Sequence, residues 1–211
     1  LKHFVLWQNH LTGAIPDTLY GLVALEWLDL DFNELSGTIS ADIGNLVLLQ
    51  GLALDNNQLT GEIPSEIGNL TDLTLLFLND NQLTGEIPEN IYNLSNLEIL
   101  RLDNNQLSGM VSDSICNLTE LNYSANWQGW EYSYLYNNNF CPDYPECVED
   151  YVGYQDISEC DYCNLGDMNF DDVFTVNDII MLVNFILPGN DWNGGEAPSE
   201  EQECVADING D

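Results

Sequence analysis

The stretch "LALDNNQLTGEIPSEIGNLTDL", Leu52 to Leu73, decides the fold. Leu52 and Leu54 alternate with Ala53 and Asp55, the period of a short strand with one buried face. A turn follows at Asn57, and Ile63, Ile67, Leu70 and Leu73 then add more apolar surface than a single coil of chain can cover. The pattern recurs with a period of 24 residues. Asn9, Asn33, Asn57, Asn81 and Asn105 are in step, as are Gly13, Gly37, Gly61, Gly85 and Gly109, and Leu11, Leu35, Leu59, Leu83 and Leu107. A fixed period of this length predicts stacked coils whose strands lie about 4.8 Å apart in a parallel sheet along one side.

After Leu121 the period breaks and then returns. "LYNNNF" places Leu135, Asn138 and Phe140 where Leu102, Asn105 and Leu107 stood, nine residues beyond one period. The spacing predicts a sixth coil carrying an insertion at 122–134, so that the coils span 1–140.

These units resemble the leucine-rich repeat. The "LTGEIP" portion is similar to the plant-specific subtype found in receptor ectodomains and polygalacturonase inhibitors. The resemblance implies an α/β repeat, a solenoid with its parallel β-sheet on the concave side, in which the Asn column forms a buried ladder that hydrogen-bonds the turning backbone. A buried amide has to find such partners. "FCPDYPEC" is similar to the Cys-containing caps that end many extracellular solenoids, which makes 141–162 a cap and linker. That likeness suggests Cys141 with Cys147, leaving Cys116 with Cys160, whereas coil stacking also allows Cys116 with Cys147. The sequence leaves both pairings open.

The composition narrows the function. Thirty-six acidic residues stand against Lys2 and Arg101 alone in a chain of 211 residues, a formal charge of −34. Such a chain repels nucleic acid and anionic membrane surfaces. It suits a salty exterior, where the screening length is about 8 Å. Six cysteines crowded into the second half, with only His3 and His10 as imidazoles, read as disulfides of an oxidising compartment rather than a zinc site. No run is long and apolar enough to span a bilayer.

Side chains between the inward leucines form three columns on the concave face: His3, Trp27, Gly51, Leu75, Ile99 and Tyr132; Val5, Asp29, Ala53, Phe77, Arg101 and Tyr134; Trp7, Asp31, Asp55, Asn79, Asp103 and Tyr136. Large rings beside carboxylates favour a binding face. Trp7, Trp27, Asp29, Asp31, Phe77, Arg101, Asp103, Tyr132, Tyr134 and Tyr136 are its candidate ligand-binding residues. Stacking of the rings merely to stiffen the sheet is the alternative, and Arg101 reads as neutralising the acids around it. Sequons at Asn69, Asn93, Asn117 and Asn122 are candidate glycosylation sites, although the first three fall in the repeat's own turn.

From Cys163 the pattern changes. Asp167, Asn169, Asp171, the Val173 carbonyl, Thr175 and Asp178 occupy positions 1, 3, 5, 7, 9 and 12 of a calcium loop. An apolar stripe through Ile179, Leu182, Val183 and Ile186 follows at helical spacing and stops at Pro188. The segment is similar to the first half of a dockerin, the calcium module that attaches extracellular proteins to a cohesin receptor, with Asp172 in place of the usual Gly. "ADINGD" at 206–211 then begins a second half, with Asp207, Asn209 and Asp211 as ligands of a truncated loop. The resemblance implies an EF-hand-like helical module over 163–211, calcium as cofactor, and Val176 and Asn177 as partner-selecting residues. Cys163 and Cys204 precede the two loops at equivalent places and are expected to pair.

With few imidazoles and no cysteine that reads as free, the sequence favours a non-enzymatic secreted or cell-surface recognition protein. Its concave face would bind a protein or polysaccharide, and its calcium module would link it to a larger assembly. The alternative is a subunit of an extracellular fibre, joined head to tail through open solenoid ends and the calcium module.

Overall fold

The computed structural model describes residues 1–122, 133–149, 151–158 and 160. Tyr132, the calcium loop and its helix, the closing "ADINGD", Val176, Asn177, Cys163 and Cys204 lie outside the described residues. Those described fall within one compact unit, Leu1–Cys160.

Each coil contributes two short strands. They are β1 (His3–Val5) and β2 (Thr12–Gly13), β3 (Trp27–Asp29) and β4 (Glu34–Thr38), β5 (Gly51–Ala53) and β6 (Gln58–Glu62), β7 (Leu75–Phe77) and β8 (Gln82–Gly85), and β9 (Ile99–Arg101) and β10 (Gln106–Met110). The sixth coil adds β11 (Asn139–Cys141). All pairings are parallel: one sheet runs β1-β3-β5-β7-β9 and a second runs β11-β10-β8-β6-β4-β2. The first is the parallel sheet that the 24-residue period predicts. The second is a finding, made where each "LTG" or "LSG" turns its leucine inward and its hydroxyl outward.

Between the sheets each of the first five coils closes through a five-residue 3-10 turn, such as Ala41–Asn45 or Ser65–Asn69. Proline opens three of these turns, at Pro16, Pro64 and Pro88, with its φ already fixed near the required value. Where serine stands instead, at Ser40 and Ser112, the hydroxyl accepts a hydrogen bond from the amide two residues on. One column within these turns, Tyr20, Gly44, Gly68, Tyr92 and Cys116, sets how closely neighbouring coils approach. A Cβ on Gly68 would lie 2.3 Å from the Asn90 carbonyl oxygen, so only glycine fits there.

Leucines and isoleucines of successive coils fill one continuous core; Leu30, Leu54, Leu78, Leu102 and Leu135 stack through it at 0–3% exposure. The Asn ladder is as expected. Asn81 accepts at Oδ1 from the Leu59 amide (2.9 Å) and donates through Nδ2 to the carbonyls of Leu54, Leu78 and Asn79 (3.0–3.2 Å). Asn33, Asn57, Asn105 and Asn138 do the same in their own coils. Leaving any of these buried backbone groups without a partner would cost about 1–3 kcal/mol.

The sixth coil joins in the anticipated register, Arg101 bridging to Tyr134 and the Leu102 amide donating to the Tyr134 carbonyl at 3.0 Å. Beyond it Gln155, 7% exposed, ends the ladder. Its Oε1 accepts from the Phe140 amide and its Nε2 donates to the carbonyls of Leu135 and Val152. Val148 and Val152 close the core behind it.

The cap's disulfides correct one expectation. Cys116 is bonded to Cys147, the pairing that coil stacking allows, and Cys141 to Cys160, in place of the cap likeness's Cys141 with Cys147 and Cys116 with Cys160. Cys116 stands in the coil-spacing column of the last full turn, so it faces the cap laid over that coil. Cys141 ends β11 and is bonded to Cys160 in the turn that follows Gln155.

Candidate functional site: the outer face of the five-stranded sheet

Because side chains alternate along a strand, residues on either side of the buried leucines in β1, β3, β5, β7 and β9 share one outer face. The register sets His3, Trp27, Gly51, Leu75 and Ile99 in one row and Val5, Asp29, Ala53, Phe77 and Arg101 in the next. Trp27 lies flat across Gly51: a Cβ there would meet the indole Cζ3 at 2.3 Å, so the missing side chain makes the ring's seat. Trp7 is 52% exposed, while Trp27 and Phe77 are half-buried and keep part of their surface in solvent.

Arg101 and Asp103 are tied to each other. Both guanidinium contacts fall on the Asp103 carboxylate, which is fully buried, and the guanidinium sits 5.2 Å above the Tyr134 ring. Tyr134 meets Tyr136 edge-on with centroids 5.3 Å apart. This cluster is a structural clasp, and Asp103 offers no surface to a ligand.

Toward the first coils the face is acidic. Asp55 is 9% exposed, and burial raises its pKa. Asp31 has one carboxylate oxygen buried with no donor; desolvation, with Asp29 and Asp55 close by, pushes its pKa up to about 7. Among the described residues no group of three or more His, Cys, Asp or Glu side chains is arranged to hold a metal ion.

Beside β7 and β9 the face dips into a hollow of about 680 Å³ floored by Leu75, Phe77, Ile99 and Leu121, with Glu98 and Glu120 at its edge. Sequence reasoning passed over it. Glu98 and Glu120 precede their strand positions and look like ordinary solvated charges until the coils are stacked. Asn69, Asn93 and Asn117 end successive 3-10 turns with exposed side chains, whereas Asn122 is half-buried.

A succession of short parallel strands, tight turns and an amide ladder defines a repeat solenoid built to present a long surface on a rigid core. Residues 10–134 match the model of the leucine-rich repeat region, and the chain belongs to that family. No curated protein sequence matches it significantly. Among solved structures it is similar to the plant peptide hormone receptor RGFR1 in complex with RGF2, at 35% identity and TM-score 0.61 over 66% of this chain and 21% of that one. It is also similar to the Arabidopsis receptor kinase HAESA in complex with the peptide hormone IDA and the co-receptor SERK1, at 30% identity and TM-score 0.62 over 74% and 29% of the two chains. A third likeness is to the BIR3–SERK2 complex from Arabidopsis thaliana, at 31% identity and TM-score 0.55 over 72% and 71%. The chain therefore spans less than a third of the two receptor chains.

Proposed function

We propose that this chain is a non-enzymatic extracellular recognition module that binds a peptide or protein segment along the outer face of β1, β3, β5, β7 and β9. The observation that carries the reading is the placement of Trp27 and Phe77 on that face over a fully packed core. Partly exposed rings on a rigid sheet are the anchors that bound partners use. Further support comes from the similar structures, among them a peptide hormone receptor in complex with RGF2 and a receptor kinase in complex with a peptide hormone. Two disulfides suit an oxidising exterior.

In this reading the tail from Asp167 to Asp178 takes a calcium ion, supported by the spacing of its oxygen ligands alone. Calorimetric titration of the full chain with calcium tests that part separately. The recognition face is tested by selecting displayed random peptides on the full chain. Selected peptides should lose at least about tenfold in affinity on Trp27→Ala or Phe77→Ala, the range of an interface anchor. Peptides that bind both variants as tightly as the wild type, or a selection that enriches none, would overturn it.

A further inference from the structure

The hollow beside β7 and β9 has an unusual electrical setting. Its floor is apolar, from Leu75, Phe77, Ile99 and Leu121, and its edge carries the exposed carboxylates of Glu98 and Glu120. The chain has two cations in all, Lys2 and Arg101. Lys2 is paired with Glu26, and Arg101 is held by Asp103. No lysine or arginine of the chain is left to face Glu98 and Glu120, so any organic cation that meets them has to arrive with a partner. The volume, about 680 Å³, is that of a site for a small group of side chains rather than for one methyl.

We propose that this hollow selects a partner segment in which an arginine or lysine stands beside an apolar residue. This rests on the reading of the sheet face as the recognition surface and specifies its chemistry. The apolar neighbour covers Leu75 and Ile99. The basic side chain lays its methylene stem along the floor and carries its charge out to Glu98 and Glu120, the way long cationic side chains cover apolar surface while keeping the head solvated. Phe77, in the same hollow, adds a ring for a guanidinium to rest on. A free carboxylate or a phosphate at this place would meet two like charges and, with a net charge of −34 behind them, would be repelled before contact. Specificity thus comes from what the face refuses as well as from what it holds.

The test is isothermal calorimetry on the full chain with three blocked hexapeptides, alternating leucine with arginine, with glutamine or with glutamate. The arginine peptide should bind, the glutamine peptide at least about tenfold more weakly, and the glutamate peptide not at all, a tenfold change being one well-placed charge contact. Glu98→Gln with Glu120→Gln should abolish that preference. Glu34→Gln with Glu62→Gln removes the same charge from the second sheet and should change affinity less than about threefold, as loss of long-range attraction alone would. Equal weakening by the two double variants would mean diffuse attraction to a polyanion and would overturn the proposal, as would absence of arginine-peptide binding. Display-selected peptides that need Phe77 but lack basic residues would overturn it too, while leaving the recognition face standing. Selected peptides indifferent to Trp27 and Phe77 would overturn both.

Discussion

Arg101 donates through Nε at 3.0 Å and through Nη2 at 2.9 Å to the two carboxylate oxygens of Asp103. A planar guanidinium fitted to a wholly buried carboxylate makes a two-point ion pair, and Asp103 Oδ2 also accepts from Asn104 Nδ2 at 3.3 Å. The only arginine of the chain is therefore an internal fastening, bound to Asp103 in its own coil and resting over the Tyr134 ring of the sixth.

Replacing it should expose that role. Arg101→Met leaves the buried Asp103 carboxylate without its counter-charge, a loss of about 3 kcal/mol or more. Arg101→Met with Asp103→Asn should recover much of it. Urea unfolding followed by circular dichroism measures both; an unchanged midpoint in the single variant would remove the clasp from the stability of the fold.

Asp31 makes stability depend on pH in the direction opposite to an ordinary surface aspartate. Its pKa is pushed up to about 7 by desolvation and by Asp29 and Asp55, from 3.8. Between about pH 4 and about pH 7 the folded chain keeps a proton that the unfolded chain releases, so stability falls as pH rises through that window. Asp31→Asn should flatten this slope relative to the wild type and raise the melting temperature at about pH 8. Carbon NMR of the Asp31 carboxyl should show a midpoint near 7, and one below about 5 would contradict burial and the neighbouring carboxylates as the source of the slope.

The ladder and the strands were legible in the sequence because each Asn, Gly and Leu recurs at one interval, and a solenoid converts interval directly into neighbourhood. Features that depend on side chains gathered from neighbouring coils were not. The raised pKa of Asp31 needs Asp29 and Asp55 around it, and the hollow needs Leu75, Ile99 and Leu121 brought together from three coils. Gln155 is hidden in the sequence because it ends the ladder 17 residues after Asn138, off the period, with a side chain one methylene longer than its predecessors. The cap's "CPDYPEC" suggested a local bridge, but Cys116 occupies a position that Gly44 and Gly68 devote to coil contact, and that direction leads to Cys147. The acidic tail, whose ligand spacing alone carries the calcium reading, lies outside the described residues.

Phe32 offers a stabilising substitution. It has φ 47°, in the left-handed region where Asn56, Asp80, Asn104 and Asn137 stand in the later coils and Gln8 in the first. Its side chain is 46% exposed, so little packing is lost by removing it. Phe32→Asn should raise stability by about 1 kcal/mol, the usual penalty of that conformation for a residue other than Gly, Asn or Asp. Thermal unfolding of the variant measures it, and a lower melting temperature would mean that the ring is packed more tightly than its exposure indicates.

The Cys116–Cys147 bond closes a loop with a sequence separation of 31 between the last full turn and the cap. Cross-linking a loop of that length stabilises by about 3–4 kcal/mol through the unfolded chain. Cys116→Ser with Cys147→Ser should lower the urea midpoint accordingly. It should also raise amide exchange at Val148 and Val152, the buried residues of the cap. Unchanged exchange there would show that Gln155 and the core hold the cap without the bond.

Hydroxyl-radical footprinting of the chain, alone and saturated with a display-selected peptide, tests the recognition face most directly. Oxidation of Trp27 and Phe77 should fall when the peptide binds. Met110 and Tyr154, which are 60% and 73% exposed and lie off that sheet, should react unchanged. Protection of Met110 or Tyr154 with Trp27 and Phe77 still fully reactive would contradict it.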